Sequence, residues 1–129
     1  MSDLADVLDI DVQYVPLPED RLGDATFEGD RIRLGTQEVS VWFHELGHAI
    51  HARIVDGLDN VDRKRSEIVA ELTAASLMDA YGYPDHSGNA WAYISKYAED
   101  PIQAVYKAMG EVGEVISYIY KQYRKEQAA

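Results

Sequence analysis

From Glu38 to about Val55 the chain carries Val39, Phe43, Leu46 and Ile50 at the spacing of one buried helix face, and inside that stretch runs His44-Glu45-Leu46-Gly47-His48. A helix of 3.6 residues per turn sets His44 and His48 about 40° apart around its axis and one turn apart along it. Two imidazoles so placed reach one zinc ion, and Glu45, about 100° round from His44, stands beside the water such an ion binds. The pattern arises by chance in roughly one chain per hundred of this composition. The remaining sequence therefore has to supply the rest of a site.

A third ligand must come from imidazole or carboxylate, because the chain has no cysteine. Ile68, Leu72, Ala75 and Leu77 mark a second helix from about Asp62 to Tyr81, stopped by Gly82 and Pro84. It offers Glu67 and Glu71 on one face, and the nineteen positions between His48 and Glu67 leave room for a turn and a return. Glu67 is the expected ligand. Glu71, one turn on, is expected to accept a hydrogen bond from a ligating imidazole and fix its tautomer, with the reverse assignment still open. His51 shares the face of His44 and His48 but lies seven residues beyond His44, about 10.5 Å of helical rise. It is expected to support the ligands from behind, or to lie at the surface, rather than to ligate.

The other elements follow from periodicity and turn residues. Ser2 is placed to cap a short helix through Leu4, Val7 and Leu8, and Asp11–Val15 has strand character up to Pro16 and Pro18. Thr26-Phe27, Gly29-Asp30 and Arg31–Leu34 suggest a hairpin ending at Gly35. Ala90 to Tyr97 is a shorter helix. Asp100-Pro101-Ile102-Gln103 starts another with a capping Asp, Pro at the first helical position and Gln three residues after the cap. Ile102, Val105, Met109, Val112, Ile116, Ile119 and Tyr123 then form one stripe, expected to be core or interface. The fold class is α+β: a small N-terminal antiparallel or mixed sheet, then a mostly helical bundle carrying the His-Glu-x-x-His helix. The 129 residues suit a single domain spanning 1–129.

Charge narrows the partners. The net charge is −11, with ten acids against three arginines in residues 1–38 and thirteen acids against nine bases in 39–129. Such a field opposes direct nucleic-acid binding and suits solubility, attraction of basic substrates or mimicry of DNA charge. No apolar run approaches the ~20 residues of a membrane span, and Met1-Ser2-Asp3 does not begin a signal peptide. Together with the absence of cysteine, this leads to an expectation of a cytoplasmic protein.

The constellation resembles the zincin metallopeptidases of the glutamate-ligand type. More closely, it resembles the C-terminal zincin-like domain of ArdC-type antirestriction proteins and related phage and plasmid metallopeptidases. The resemblance covers roughly residues 24–120. It rests on Asp30-Arg31-Ile32-Arg33-Leu34, Trp42-Phe43-His44-Glu45-Leu46-Gly47-His48, Ser66-Glu67-Ile68-Val69-Ala70-Glu71-Leu72-Thr73-Ala74-Ala75, Tyr93-Ile94 and Tyr118-Ile119. In that family a His often stands three residues before the Tyr-Ile pair, where this chain has Ala90. The resemblance implies a zincin-like fold and a zinc-dependent metallopeptidase, with Zn²⁺ on His44, His48 and Glu67 and a peptide or protein as substrate. Glu45 is then the general base toward a zinc-activated water, and Tyr93, His86 or Tyr97 donates to the developing oxyanion, Tyr93 foremost. It also implies that Arg31–Leu34 is an edge strand to which extended substrate adds. The alternative expectation is a catalytically weak or inactive zincin-fold binding protein, an acidic antirestriction-type inhibitor of a DNA enzyme, with zinc as a structural staple.

Overall fold

A computed structural model describes residues 2–17, 21–57 and 62–128. The elements run α1 (Ser2–Val7), β1 (Asp11–Tyr14), β2 (Gly23–Ala25), β3 (Arg31–Leu34), α2 (Val39–Val55), α3 (Arg63–Ala80), α4 (Ser87–Tyr97) and α5 (Pro101–Ala128). The class is α+β, a three-stranded mixed sheet followed by a mostly helical bundle. Ser2's side chain and Pro18, expected as a cap and a strand stop, lie outside the description.

The sheet corrects two expectations. Its order is β1-β3-β2, with β1 parallel to β3 and β2 antiparallel to it. The strand preceding β3 is thus Gly23–Ala25, not Thr26-Phe27. Thr26 makes the last rung and opens the turn: its N–H donates to Arg31 O, while its Oγ accepts from the backbone N–H of Asp30 at 3.1 Å and of Arg31 at 3.2 Å. Second, Arg31–Leu34 is the central strand. Val12 lies opposite Ile32 on one side and Ala25 on the other, so the edge nearest α2 falls to β2.

Alternation on β3 buries Ile32 and Leu34 completely against the helices and turns Arg31 and Arg33 outward. The helical layer is built on α2 and α3. Phe43, Leu46 and Ile50 of α2 meet Val69 and Thr73 of α3 in the buried core. Gly47 permits the approach: a Cβ there would lie 3.0 Å from Ala70 Cα and 3.2 Å from both Ala70 O and Thr73 Cβ. That is tight packing against backbone, which cannot swing aside.

The expected helix limits hold to within a few residues. Asp62 caps α3 by accepting from the N–H of Lys64, and Gly82 at φ +77° follows its end. Gln103 N–H donates to Asp100 Oδ1 at 3.2 Å, capping α5 before Pro101. The stripe expected on α5 does not hold together. Val112 and Ile119 are buried and Val105 and Ile116 half-buried, whereas Ile102, Met109 and Tyr123 are exposed. The buried line runs instead through Ala108, Val112, Val115 and Ile119, which leaves the row of Ile102, Met109 and Tyr123 on its solvent side. No helix among the described residues is long and apolar enough to cross a membrane.

Candidate metal centre

Packing α3 against α2 at Gly47 brings the turn beginning at His44 alongside the turn beginning at Glu67. His44 Nε2 lies 3.1 Å from Glu67 Oε2, and His48 Nε2 lies 3.3 Å from Glu67 Oε1. The ligating atoms of His44, His48 and Glu67 all fall within 4.8 Å of one another, close enough to hold a metal ion. Bonds of roughly 2.0–2.2 Å to a tetrahedral ion put its ligand atoms about 3.4 Å apart. The two nitrogen–oxygen pairs already stand near that spacing, and the widest separation in the set would have to close by at most about 1.4 Å for all three side chains to meet one small divalent cation.

The opposite ring nitrogens are held from behind. His44 Nδ1 lies 2.8 Å from Glu71 Oε2, and since a carboxylate only accepts, the ring donates through Nδ1 and turns Nε2 toward Glu67. His48 Nδ1 lies 3.0 Å from Ser66 Oγ, which orients that ring likewise. Glu71 is in turn fixed by His86, whose Nε2–H donates to Oε1 at 2.9 Å. The two glutamates left open by sequence therefore take distinct places. Glu67 faces both Nε2 atoms, and Glu71 braces the back of His44.

Charge follows geometry. Burial disfavours a charged His44, but hydrogen bonds to Glu67 and Glu71 outweigh it and push its pKa up to about 10. Burial also opposes ionisation of Glu67, yet His44 and His48 hold its carboxyl far below the usual carboxylate range. Glu45 is 8% exposed, and burial raises its pKa against the pull of His44 and His48. Its carboxyl has no hydrogen-bond partner among the described residues, which leaves it free to take and return a proton.

Comparison with models of known protein families, with curated proteins and with solved structures finds no match to this chain.

The remaining candidates separate clearly. Tyr93 on α4 donates to Glu67 Oε2 at 2.6 Å and lies edge-on to the His44 ring, with centroids 5.5 Å apart. Burial and this hydrogen bond raise its pKa. His86 is engaged with Glu71, and Tyr97 packs on the Tyr93 ring at 5.2 Å. His51 corrects its expectation. It is 1% exposed, and its Nε2 lies 2.6 Å from Glu111 Oε2, while Arg65 grips the other oxygen, Oε1, of the same carboxylate. Its turn of α2 faces α5, so it ties helices together and braces no ligand.

The mouth of the site is a cleft of about 800 Å³ whose walls include β2, β3 and the first turns of α3. Gly23 lets β2 reach Glu45, since a Cβ there would stand 3.0 Å from Glu45 Cγ. Gly35 N–H donates to Leu22 O, and Thr26 N–H to Arg31 O. In an antiparallel ladder residues 22, 24 and 26 then face β3, and the amides of Gly23 and Ala25 face outward at the cleft. Sequence reasoning missed Gly23, Ser66 and the bracing role of His86. None lies on a periodic apolar pattern. Gly23 and His86 sit in stretches whose neighbours are set by tertiary packing.

Proposed function

We propose that this chain is a zinc-dependent metallopeptidase of zincin-like design, as its resemblance to the ArdC-type domain implied. One observation carries the reading. The Nε2 atoms of His44 and His48 converge on Glu67 with both Nδ1 atoms hydrogen-bonded behind them, and an unpaired, buried Glu45 stands alongside.

His44, His48 and Glu67 would hold the ion, and two imidazoles with a carboxylate are a donor set that suits zinc. When bound, zinc supplies Lewis acidity toward a peptide carbonyl and toward water. The protein's residues do the rest. Glu45 takes the proton of the attacking water and returns it to the leaving amine, a role that a carboxyl made more basic by burial supports. Tyr93 donates its hydroxyl proton toward the carbonyl oxygen as charge develops there, exchanging Glu67 for substrate. The outward amides of Gly23 and Ala25 pair with the main chain of an extended peptide, the edge-strand role that the resemblance had implied for Arg31–Leu34.

Protein purified without chelator should contain about one zinc per chain, and His44→Ala should lose it. A protein that folds with neither zinc nor affinity for it would end this reading. A second reading, zinc as a staple in a binding protein, draws on the same geometry, because the ligands join two helices. Inhibition of a target enzyme that persists in Glu45→Gln would favour it.

A further inference from the structure

The net charge of −11 suggests a protein that attracts basic molecules, but the metal cleft has the opposite character. Arg21, Arg31, Arg33 and Arg63 all line it, four of the chain's seven arginines. They come from separate places: the segment before β2, both outward positions of β3, and the first turn of α3 across the opening. Asp24 engages two of them, accepting from Arg33 Nε at 2.9 Å and from Arg21 at 3.4 Å. Arg31 and Arg63 are exposed and make no hydrogen bond or ion pair among the described residues. Arg63 stands one helical turn before Glu67, and Arg31 stands on the sheet wall. Against four arginines the cleft sets Asp24, Glu45 and Glu67, so its walls are positive even before a divalent cation adds to them.

We infer that the cleft selects acidic peptides, with Arg31 and Arg63 gripping carboxylates on opposite sides of the segment laid over His44 and His48. The inference rests on the peptidase reading and names its substrate class. Guanidinium groups held by no hydrogen bond or ion pair among the described residues, Arg31 feeling only the charge of neighbouring Asp30, offer charge-assisted, two-pronged bonds to a carboxylate. Phe27, 60% exposed at the same mouth, offers an apolar contact beside them. The outward amides of Gly23 and Ala25 favour a peptide main chain over a nucleic acid. The acidic remainder of the surface disfavours a long polyanion, which a short acidic peptide held within the cleft avoids.

The test uses the full chain with Glu45→Gln, loaded with zinc so that ligand is bound without turnover. Four fluorescent probes are compared by anisotropy: an octapeptide with glutamate at alternate positions, its glutamine and lysine counterparts, and a single-stranded oligonucleotide of equal charge. The glutamate peptide should bind about tenfold tighter than the glutamine one, and the difference should shrink in high salt. Arg31→Ala with Arg63→Ala should erase that advantage while zinc stays at one per chain. Arg31→Glu with Arg63→Glu should shift preference to the lysine peptide. Equal or tighter binding of the glutamine or lysine peptide, or tighter binding of the oligonucleotide, overturns the inference. The two readings fail separately. Acidic peptides bound as expected but never cut by the unmutated protein would sink the peptidase and keep the ligand class. Cleavage confined to neutral or basic peptides would do the reverse.

Discussion

The Nδ1 of His44 lies 2.8 Å from Glu71 Oε2, so a carboxylate on one helix decides which nitrogen of an imidazole on another faces Glu67. Glu71 need not touch the ion to govern its binding. Glu71→Gln leaves an acceptor oxygen but removes the charge, and zinc affinity should fall by about 10–100-fold with stoichiometry kept near one per chain. Competition with a chromophoric chelator measures this. Unchanged affinity would show that the His44 orientation is set elsewhere.

Glu45→Gln removes the proposed proton carrier and leaves His44, His48 and Glu67 alone. Zinc content should be unchanged, and peptide hydrolysis should drop by about 10²–10⁴-fold. Steady-state cleavage of a fluorogenic peptide, normalised to bound zinc, reads the effect. Retention of activity would assign the base to another group.

Gly47→Ala tests the contact between the ligand-bearing helices. Alanine gains about 1 kcal/mol of helix propensity over glycine. Its Cβ, however, would press at 3.0 Å on Ala70 Cα, and overpacking of this kind costs about 1–3 kcal/mol. The net expectation is a lower Tm together with about tenfold weaker zinc binding, because α3 carries Glu67. A higher Tm at unchanged affinity would mean that the helices tolerate wider spacing.

Two histidines give the metal-free protein opposite pH slopes. Burial lowers the pKa of His51, and Glu111 offsets that only in part. A folded value below the unfolded 6.5 means stability is full above 6.5 and is lost as the pH falls from there. Glu111 extends the loss: burial opposes its charge, but Arg65 and His51 hold its carboxyl below the usual 4.5, so its contribution vanishes as the pH falls through the folded value. His44, raised from 6.5 to about 10, contributes below 6.5 and loses that contribution as the pH climbs toward 10. The raised pKa of Glu45 works in the same direction as that of His44. Melting curves in chelator should therefore peak near pH 6.5, with a shallower acid side in His51→Asn. A maximum well above pH 8 would contradict the charge state given to His44.

What the sequence made legible was helical. His44, His48, Glu67 and Glu71 are separated by intervals of four within helices whose apolar residues already fixed the buried face, so local geometry sufficed to bring each pair to one side. The sheet was less legible. Gly23-Asp24-Ala25 has little strand preference of its own and becomes a strand only because β3 offers it partners. β1 pairs with β3 in parallel across a long separation in sequence, which left Arg31–Leu34 looking like an edge. His51 shared a helical face with the ligands, yet α5 packs over its turn and claims the ring through Glu111. The arginines of the cleft were visible one by one, but their convergence was hidden by a net charge of the opposite sign.

His86 stands in the short connector between α3 and α4, immediately before Ser87, and from there reaches Glu71 Oε1 at 2.9 Å. Surface connectors usually tolerate added or deleted residues. This one does not have that freedom. One residue more or fewer between Ala80 and Ser87 would carry the imidazole away from its carboxylate, so the length of an outwardly ordinary turn is constrained by the site it buttresses.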